Sequence, residues 1–428
     1  MNGPSVSVRR GFAWLAAGYA SYMLCQWAMI IVLARWGTPE KVGQFGLALV
    51  TTAPIVLFTG LGLRRVLATD AQSAYPFADY LGLRLVTIVA AMGLTALVVS
   101  TAGFGAESAL VVLAMGVAKA IEATSDIIHG LFQRHGRIDY VARSLLYRGP
   151  ISVAGLAAGY LATGQVFWGV LGIGAGWLVV LAFYDWPRSR QFQAAPARES
   201  GGPATDTIAR RYAALAALAL PMGVVALLAS LKSSIPSLVI ARHLGEGALG
   251  LFMALAYFHA ASNRIVSALG EAATVRLASH FANGEDAKFS RLLGVMLLTA
   301  LGIGVAGVAI AAAAGRPLMS LFYGPEYAAV SGLLVLIMAA AGAANLQTVL
   351  DYAMTSARRF KIQPWLYGTS AGFLFLLCAL LVPAYGLTGA AVALVIGSGV
   401  EIVATGAVVG RALARNRLAG TPAALGGS

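Results

Sequence analysis

Charge is scarce in this chain of 428 residues, since only 11% of its residues are charged and 59% are hydrophobic. A soluble globular domain carries about 25% charged residues. The composition therefore excludes an ordinary water-soluble fold, and the mean hydropathy of +0.79 points to lipid as the solvent. Cysteine is rare too. Cys25 and Cys378 both lie in apolar runs, which favours buried small side chains over a disulfide or a metal site.

Motifs for catalytic chemistry are also missing. The five histidines show no metal-ligand spacing, and the 50 glycines form no phosphate-binding loop. The sequence predicts no metal, no cofactor and no ATP hydrolysis, and no loop is long enough to fold as a catalytic domain. We therefore expect no enzyme. The net charge of +13 could suggest nucleic acid, but the basic residues lie in short clusters between apolar runs, so no nucleic-acid partner is expected.

Twelve apolar runs are present, and each is long enough for a bilayer core, which about 20 residues cross as a helix. The predicted spans are 11–35, 42–62, 80–101, 107–131, 144–163, 165–185, 211–240, 247–269, 289–314, 326–350, 362–383 and 386–411. The first follows Arg9 and Arg10, as the core of a signal peptide would. It is long enough to span and lacks a clear cleavage site, so we interpret it as a membrane helix.

The orientation follows from the basic residues, which remain on the cytoplasmic side. With the N-terminus inside, 23 of the 30 Lys and Arg residues fall in inside segments, among them Arg64, Arg84 and Arg148. Four fall outside and three, Lys119, Lys232 and Arg264, fall within spans. Both termini are therefore predicted to be cytoplasmic.

A polar stretch rich in Pro and Gly, Trp186 to Arg210, predicts a flexible cytoplasmic linker between two halves. The predicted organisation is an N-terminal six-helix lobe at 1–187, the linker at 188–210, a C-terminal six-helix lobe at 211–415 and a cytoplasmic tail at 416–428.

A weak repeat supports the two halves. At an offset of 207 residues, Ala34-Arg35 matches Ala241-Arg242, Gly43 matches Gly250 and Phe45 matches Phe252. Chance alignment of apolar helices is the alternative. Because each half has an even number of helices, an all-α membrane fold with a pseudo-twofold axis along the membrane normal and a central cleft is expected.

Polar side chains line one face of the fourth predicted span. At 100° per residue, these five side chains form a stripe about 80° wide: Lys119, Glu122, Asp126, His129 and Gln133. Charges at bilayer depth cost at least about 2.5–3.5 kcal/mol on insertion scales and usually face a cavity. The alternative is a structural stripe that neutralises itself, with Lys119 paired to Glu122 one turn away.

Five segments, in chain order, resemble the polysaccharide flippase family of the Wzx type, which shares a superfamily with the MATE multidrug exporters. They are Leu33 to Leu49, Gly60 to Ala68, Gly130 to Gly149, Leu318 to Val330 and Gly386 to Gly397. Trp36 departs from the leucine-like residue that the family usually has. The resemblance implies a multi-pass protein of the bacterial cytoplasmic (inner) membrane. It also implies transport of an undecaprenyl-diphosphate-linked oligosaccharide to the periplasmic leaflet for O-antigen, capsule or exopolysaccharide assembly.

The resemblance gives the polar groups candidate roles. Cations within spans suit a diphosphate, so Lys119, Lys232 and Arg264, with His129 and Gln133, are candidate substrate-binding residues, although Lys232 and Arg264 could instead reach the interface. Glu122, Asp126 and Glu401 are candidates for coupling to H+ or Na+, with a neutral packing role as the alternative. Candidate gate residues are Arg35 and Arg242, which could instead cap helix ends, and the hinge prolines Pro221 and Pro236. Membrane lipid and a polysaccharide polymerase or chain-length protein are the other candidate partners.

Two other functions compete with the flippase. A MATE-like multidrug antiporter would share the architecture, but the first span has Tyr19, Tyr22 and Gln26 and no carboxylate. A membrane-embedded polymerase or ligase would need a sizeable outer loop with acid, base or arginine groups, whereas the outer loops here are short and nearly uncharged.

Overall fold

The computed structural model describes residues 8–70, 74–193, 207–359 and 362–420 of the chain, and within these ranges it holds helices and no strand. In order they are α1 (Val8–Trp36), α2 (Pro39–Thr59), α3 (Leu63–Thr69), α4 (Phe77–Thr101), α5 (Ala106–Arg134), α6 (Ile138–Thr163), α7 (Val166–Val180), a π-helical segment (Leu181–Asp185), α8 (Trp186–Gln193), α9 (Ile208–Ala282), α10 (Asp286–Phe322), α11 (Pro325–Ala328), α12 (Ser331–Ser356) and α13 (Gln363–Gly420).

Eight helices of the described residues are long and apolar enough to cross a membrane. Two of them contain one non-helical residue, Gly245 in α9 and Gly386 in α13, which divides each into two stretches of spanning length. Both glycines have positive φ angles, of 82° and 60°, which side chains with a Cβ rarely adopt. The helices α5 and α6 add 29 and 26 residues. The described ranges therefore hold twelve helical stretches long enough to span, in agreement with the count that the sequence predicts.

The break in α9 supports the internal repeat. Gly245 lies 207 residues after Thr38, which stands in the gap between α1 and α2. The matched aromatic residues are both buried, with Phe45 at 1% and Phe252 at 4% relative exposure. A chance alignment would not place a chain corner and a buried aromatic side chain in the same register, so these matches favour a repeat.

The chain divides into two compact units, Met1–Ser234 and Ile235–Ser428. Residues 208–234 of α9, which the sequence assigns to the second lobe, therefore group with the first unit. Within that unit Leu215 and Ala219 of α9 are fully buried, packed in a cluster with Leu63 and Tyr80.

The ranges predicted as linker and tail overlap the ends of neighbouring helices. Residues 188–193 belong to helix α8 and residues 208–210 begin α9, while 194–206, the middle of the linker, lie outside the described residues. Residues 416–420 continue α13, and 421–428 also lie outside the described part. Polar helix ends have low hydropathy, so the sequence alone does not distinguish them from connections.

Glycine permits the closest helix contacts of the first unit. A Cβ on Gly155 of α6 would overlap the backbone of Gly172 in α7, and one on Gly159 would overlap the backbone of Trp168. The two helices therefore pack backbone against backbone, as small residues allow in membrane proteins.

The corner between α9 and α10 in the second unit is held by charge. Lys288 Nζ and His280 Nδ1 lie 2.7 and 2.6 Å from the two carboxylate oxygens of Glu285. These hydrogen bonds, that from Lys288 first, hold the pKa of the Glu285 carboxyl below its usual range.

Candidate functional site

The polar stripe predicted on the fourth span lies along α5, where all five side chains contact polar partners. At its first position, Lys119 Nζ lies 2.7 Å from Glu122 Oε2. The Tyr22 hydroxyl of α1 donates to the other oxygen of Glu122 at 3.2 Å. The Lys119 ammonium also lies over the ring of Trp177 in α7, 5.4 Å from its centroid. The pairing of Lys119 with Glu122 that the structural alternative requires is therefore present.

One turn further along α5, Asp126 binds two arginines. Arg64, in the first turn of α3, donates from one terminal nitrogen to Asp126 Oδ1 at 2.9 Å, and Arg84 of α4 donates to Oδ2 at 3.3 Å. Arg64 also donates through Nε to Gln133 Oε1 at 3.1 Å and to the Tyr19 hydroxyl at 3.3 Å. A single guanidinium thus joins two members of the stripe to α1.

His129, the fourth residue of the stripe, belongs to a buried ionic cluster with Asp185 and Arg148. Its Nε2 is 3.0 Å from the Ser144 hydroxyl and 3.6 Å from Asp185 Oδ1, while Arg148 donates to Asp185 Oδ2 at 3.4 Å. The side chains of His129, Asp185 and Arg148 are between 0% and 3% exposed. Asp185 is the last residue of the π-helical segment, a kind of helix irregularity that is common at functional sites. The His129 ring is therefore enclosed by polar partners, and its role in substrate binding stays a prediction.

Two arginines that the orientation rule counts among the inside residues are buried. Arg84 and Arg148 lie within α4 and α6 and are only 4% and 2% exposed. Each arginine can be buried because it has a carboxylate partner. Arg84 pairs with the half-buried Asp126, and Arg148 pairs with the buried Asp185.

The network carries more positive than negative charge. Four cations, Arg64, Arg84, Lys119 and Arg148, surround three carboxylates, Glu122, Asp126 and Asp185. One edge is open, because the side chains of Asp126, Glu122, Arg64 and Lys119 retain 35%, 26%, 20% and 19% exposure. The open edge thus holds two cations paired with two carboxylates, while Arg84 and Arg148 are buried. Arg64 or Lys119 could exchange its carboxylate partner there for an external anion.

The predicted gate residues lie on α1 and α9. Arg35 is exposed in the last turn of α1, a position that suits capping of the helix C-terminus, and Arg242 is exposed three residues before Gly245. Pro221 is exposed and Pro236 is buried, and both lie within continuous helical backbone. The interruption in α9 is at Gly245, so hinge motion at the prolines stays a prediction. Lys232 is half-buried.

The remaining predicted residues belong to the second unit. Arg264 is exposed on α9, and Glu401 of α13 is 5% exposed. Glu401 lies within electrostatic reach of Tyr367, whose hydroxyl donates to Asp351 Oδ2 at 3.4 Å. Among the described residues, no group of three or more His, Cys, Asp or Glu side chains could hold a metal ion.

Sequence reasoning missed four members of the network: Arg64, Arg84, Arg148 and Asp185. A usable signal existed for two of them, because Arg84 and Arg148 lie four residues inside the predicted spans that begin at 80 and 144. A charge inside a span calls for a partner. Asp185 closes the sixth predicted span, where nothing in the sequence indicates the π-helical turn.

Comparison with known proteins identifies the fold of the chain. No protein-family model matches the chain. A capsular polysaccharide biosynthesis protein, CapF of Staphylococcus aureus, is 23% identical over 385 residues, which are 89% of this chain and 93% of CapF. The inward-facing structure of a multidrug resistance MATE transporter of the MOP superfamily matches with a TM-score of 0.76 at 13% identity, over 94% of this chain and 96% of that one. The chain has the fold of the MOP superfamily transporters.

A second solved structure also matches most of the chain. The lipid II flippase MurJ, in an inward closed conformation, matches with a TM-score of 0.74 at 12% identity, over 95% of this chain and 90% of MurJ. These likenesses confirm the resemblance predicted from the sequence, and the chain is a multi-pass, all-α membrane protein.

Proposed function

We propose that the protein translocates an undecaprenyl-diphosphate-linked oligosaccharide from the cytoplasmic to the periplasmic leaflet by alternating access, for polysaccharide assembly. CapF, the sequence relative, is named for capsular polysaccharide biosynthesis, and MurJ, a structural relative, is named as a lipid II flippase. Both names concern glycan assembly, and the MOP fold is common to transporters. The proposed location is the bacterial inner membrane, with both termini in the cytoplasm.

The observation that carries this proposal is the open edge of the polar network, where Arg64 of α3 and Lys119 of α5 are partly exposed and paired with carboxylates. A diphosphate has oxygens that can replace a carboxylate at a guanidinium, and the fork of Arg64 suits such bidentate binding. Arg64 is partly exposed and can reach such a ligand, whereas Arg84 is buried and stays paired with Asp126. Lys119 adds a second partly exposed cation, which lies about two helical turns before Asp126 on α5. The headgroup site proposed here therefore comprises Arg64 and Lys119, with Gln133 as a neutral neighbour.

Ion coupling is proposed at Glu401, Glu122 and Asp126. In the described conformation, Glu122 pairs with Lys119, and Asp126 pairs with Arg64 and Arg84. Glu401 is 5% exposed and lies within electrostatic reach of Tyr367, whose hydroxyl donates to Asp351. A buried carboxylate has a raised affinity for a proton, so these three acids are the candidates for coupling to an ion.

A multidrug antiporter is the second candidate function, because the highest TM-score quoted above belongs to a MATE transporter. The partly exposed carboxylates of Glu122 and Asp126 could attract a cationic drug. The excess of cations around them favours an anionic substrate instead. A polymerase or ligase is disfavoured, since the connections within the described ranges are short.

Complementation of a flippase-null strain tests the proposal. The wild-type chain should restore surface glycan, and Arg64→Ala and Lys119→Ala should abolish that output while the protein still reaches the membrane. Lys41→Ala is the matched control, because Lys41 is a cation of the same unit that pairs with the mostly exposed Glu107. Wild-type glycan output from both site variants contradicts the headgroup site. Drug resistance without glycan rescue supports the antiporter.

A further inference from the structure

The turn between α2 and α3, here called the elbow and formed by Gly60, Leu61 and Gly62, has an unusual backbone. Leu61 and Gly62 adopt left-handed conformations, with φ angles of 51° and 63°. Glycine accepts this region readily, but leucine does so at a cost because its Cβ approaches the carbonyl oxygen. Leu61 and Arg358 are the two non-glycine residues with positive φ in the described chain. Surrounding contacts must therefore hold the elbow in place.

One set of contacts comes from α9. A Cβ on Gly223 would lie 3.0 Å from the Phe58 carbonyl oxygen and 3.1–3.2 Å from Leu61, so this part of α9 lies directly on the elbow. Met222 packs against Gly62, with Met222 Cβ 3.1 Å from the position that a Cβ on Gly62 would take. Pro221 precedes these residues and removes a helical hydrogen bond. The Pro221–Gly223 segment is thus a locally weakened stretch of α9 that docks on a strained turn.

The other set of contacts comes from the polar stripe. Arg64 lies two residues after Gly62 and donates hydrogen bonds to Asp126, Gln133 and Tyr19. Arg84, the second arginine on Asp126, also touches the elbow, because its terminal nitrogen lies 2.9 Å from the position of a Cβ on Gly60. Both cations that bind Asp126 are therefore in contact with the elbow or within two residues of it.

We infer that the elbow is a conformational switch that couples the occupancy of the Arg64–Asp126 pair to the docking of the Pro221–Gly223 segment. When Arg64 leaves Asp126, α3 loses its anchor, the left-handed turn relaxes and Leu61 withdraws from Gly223. Because coupling is reciprocal, undocking of α9 weakens the hold of Arg64 on Asp126. The inference rests on the proposed function only for the identity of the anion that would draw Arg64 away from Asp126.

Hydrogen exchange on the full-length protein, with no anion added, tests whether loss of the Arg64–Asp126 pair loosens the Pro221–Gly223 segment. Asp126→Asn removes the charge that holds Arg64 and should speed amide exchange in residues 216–226 roughly tenfold, the scale of one lost hydrogen bond to a charged group. Glu107→Gln is the matched control, because it removes an exposed ion pair at the other end of α5 and should leave this exchange within about twofold of wild type. Equal exchange in the two variants overturns the switch.

The reverse direction is tested with Gly223→Ala, which adds a Cβ against Phe58 and Leu61 and should speed exchange in α3. Gly93→Ala is its control, because a Cβ there meets nothing within 4 Å. Equal exchange of α3 in these two variants also overturns the switch.

A final arm adds inorganic diphosphate to the wild-type protein, which should speed exchange in 216–226 as Asp126→Asn does. If the variant has its effect and diphosphate has none, the switch stands and the proposed anionic headgroup is contradicted.

Discussion

Substitution of Asp185 by Asn should strongly destabilise the first unit. The carboxylate is fully buried and is the partner of the buried Arg148. The amide keeps the size and one acceptor but leaves the guanidinium charge uncompensated. Removal of one partner of a buried ion pair costs about 3–5 kcal/mol. Because an amide still accepts one hydrogen bond, we expect the lower end, about 3 kcal/mol, which corresponds to a fall in Tm of roughly 10 °C for a unit of this size.

Thermal unfolding of the purified protein in detergent measures this fall. The double variant Asp185→Leu with Arg148→Met removes both charges and keeps apolar volume, so it should regain most of the lost stability. Lys41→Ala, at an exposed pair, should cost less than about 1 kcal/mol. A Tm for Asp185→Asn within about 2 °C of wild type would refute the reasoning, as would a double variant no more stable than the single one.

Three further substitutions test other contacts. Arg64→Lys keeps the charge but loses the fork that joins Asp126 to Gln133, so glycan output in complementation should fall at least tenfold, and full output would contradict bidentate binding. Trp177→Phe removes the indole donor to Ser152, a hydrogen bond of 2.6 Å; we expect a loss of about 1–3 kcal/mol, seen as a lower Tm, whereas an unchanged Tm would mean that the bond contributes nothing. Gly155→Leu should abolish accumulation of folded protein in the membrane, because its side chain would overlap the backbone of α7; Gly93→Leu, where space is open, should accumulate normally.

The helix count and the α5 stripe followed from the sequence because both depend on local periodicity. Apolar length sets the spans, and a 100° step per residue aligns Lys119 with Gln133 whatever the neighbours are. The beginning of α6 was missed for the same reason. Its first turns, from Ile138, are polar, so hydropathy placed the span at 144 and assigned the intervening residues to a loop.

The partners of the stripe could not be derived in this way. Arg64 and Arg84 lie 62 and 42 residues from Asp126, and Arg148 lies 37 residues from Asp185. Only the tertiary packing of α3, α4, α6 and α7 around α5 brings them together. The rule that assigns basic residues to the cytoplasmic side also gives no sign of these partners, since it counts a buried arginine with a carboxylate partner like one in a loop.

The π-helical segment Leu181–Asp185 has a consequence for how this helix tolerates change in length. A π-helical turn accommodates an additional residue in an otherwise regular helix. Deleting one residue there would restore ordinary winding and leave the flanking stretches close to their present orientation, whereas a deletion in the regular winding of α7 would rotate one side of the cut by about 100° relative to the other. A deletion of the second kind would carry Asp185 away from Arg148, so we expect single deletions within Leu181–Asp185 to be accommodated better than single deletions within Val166–Val180.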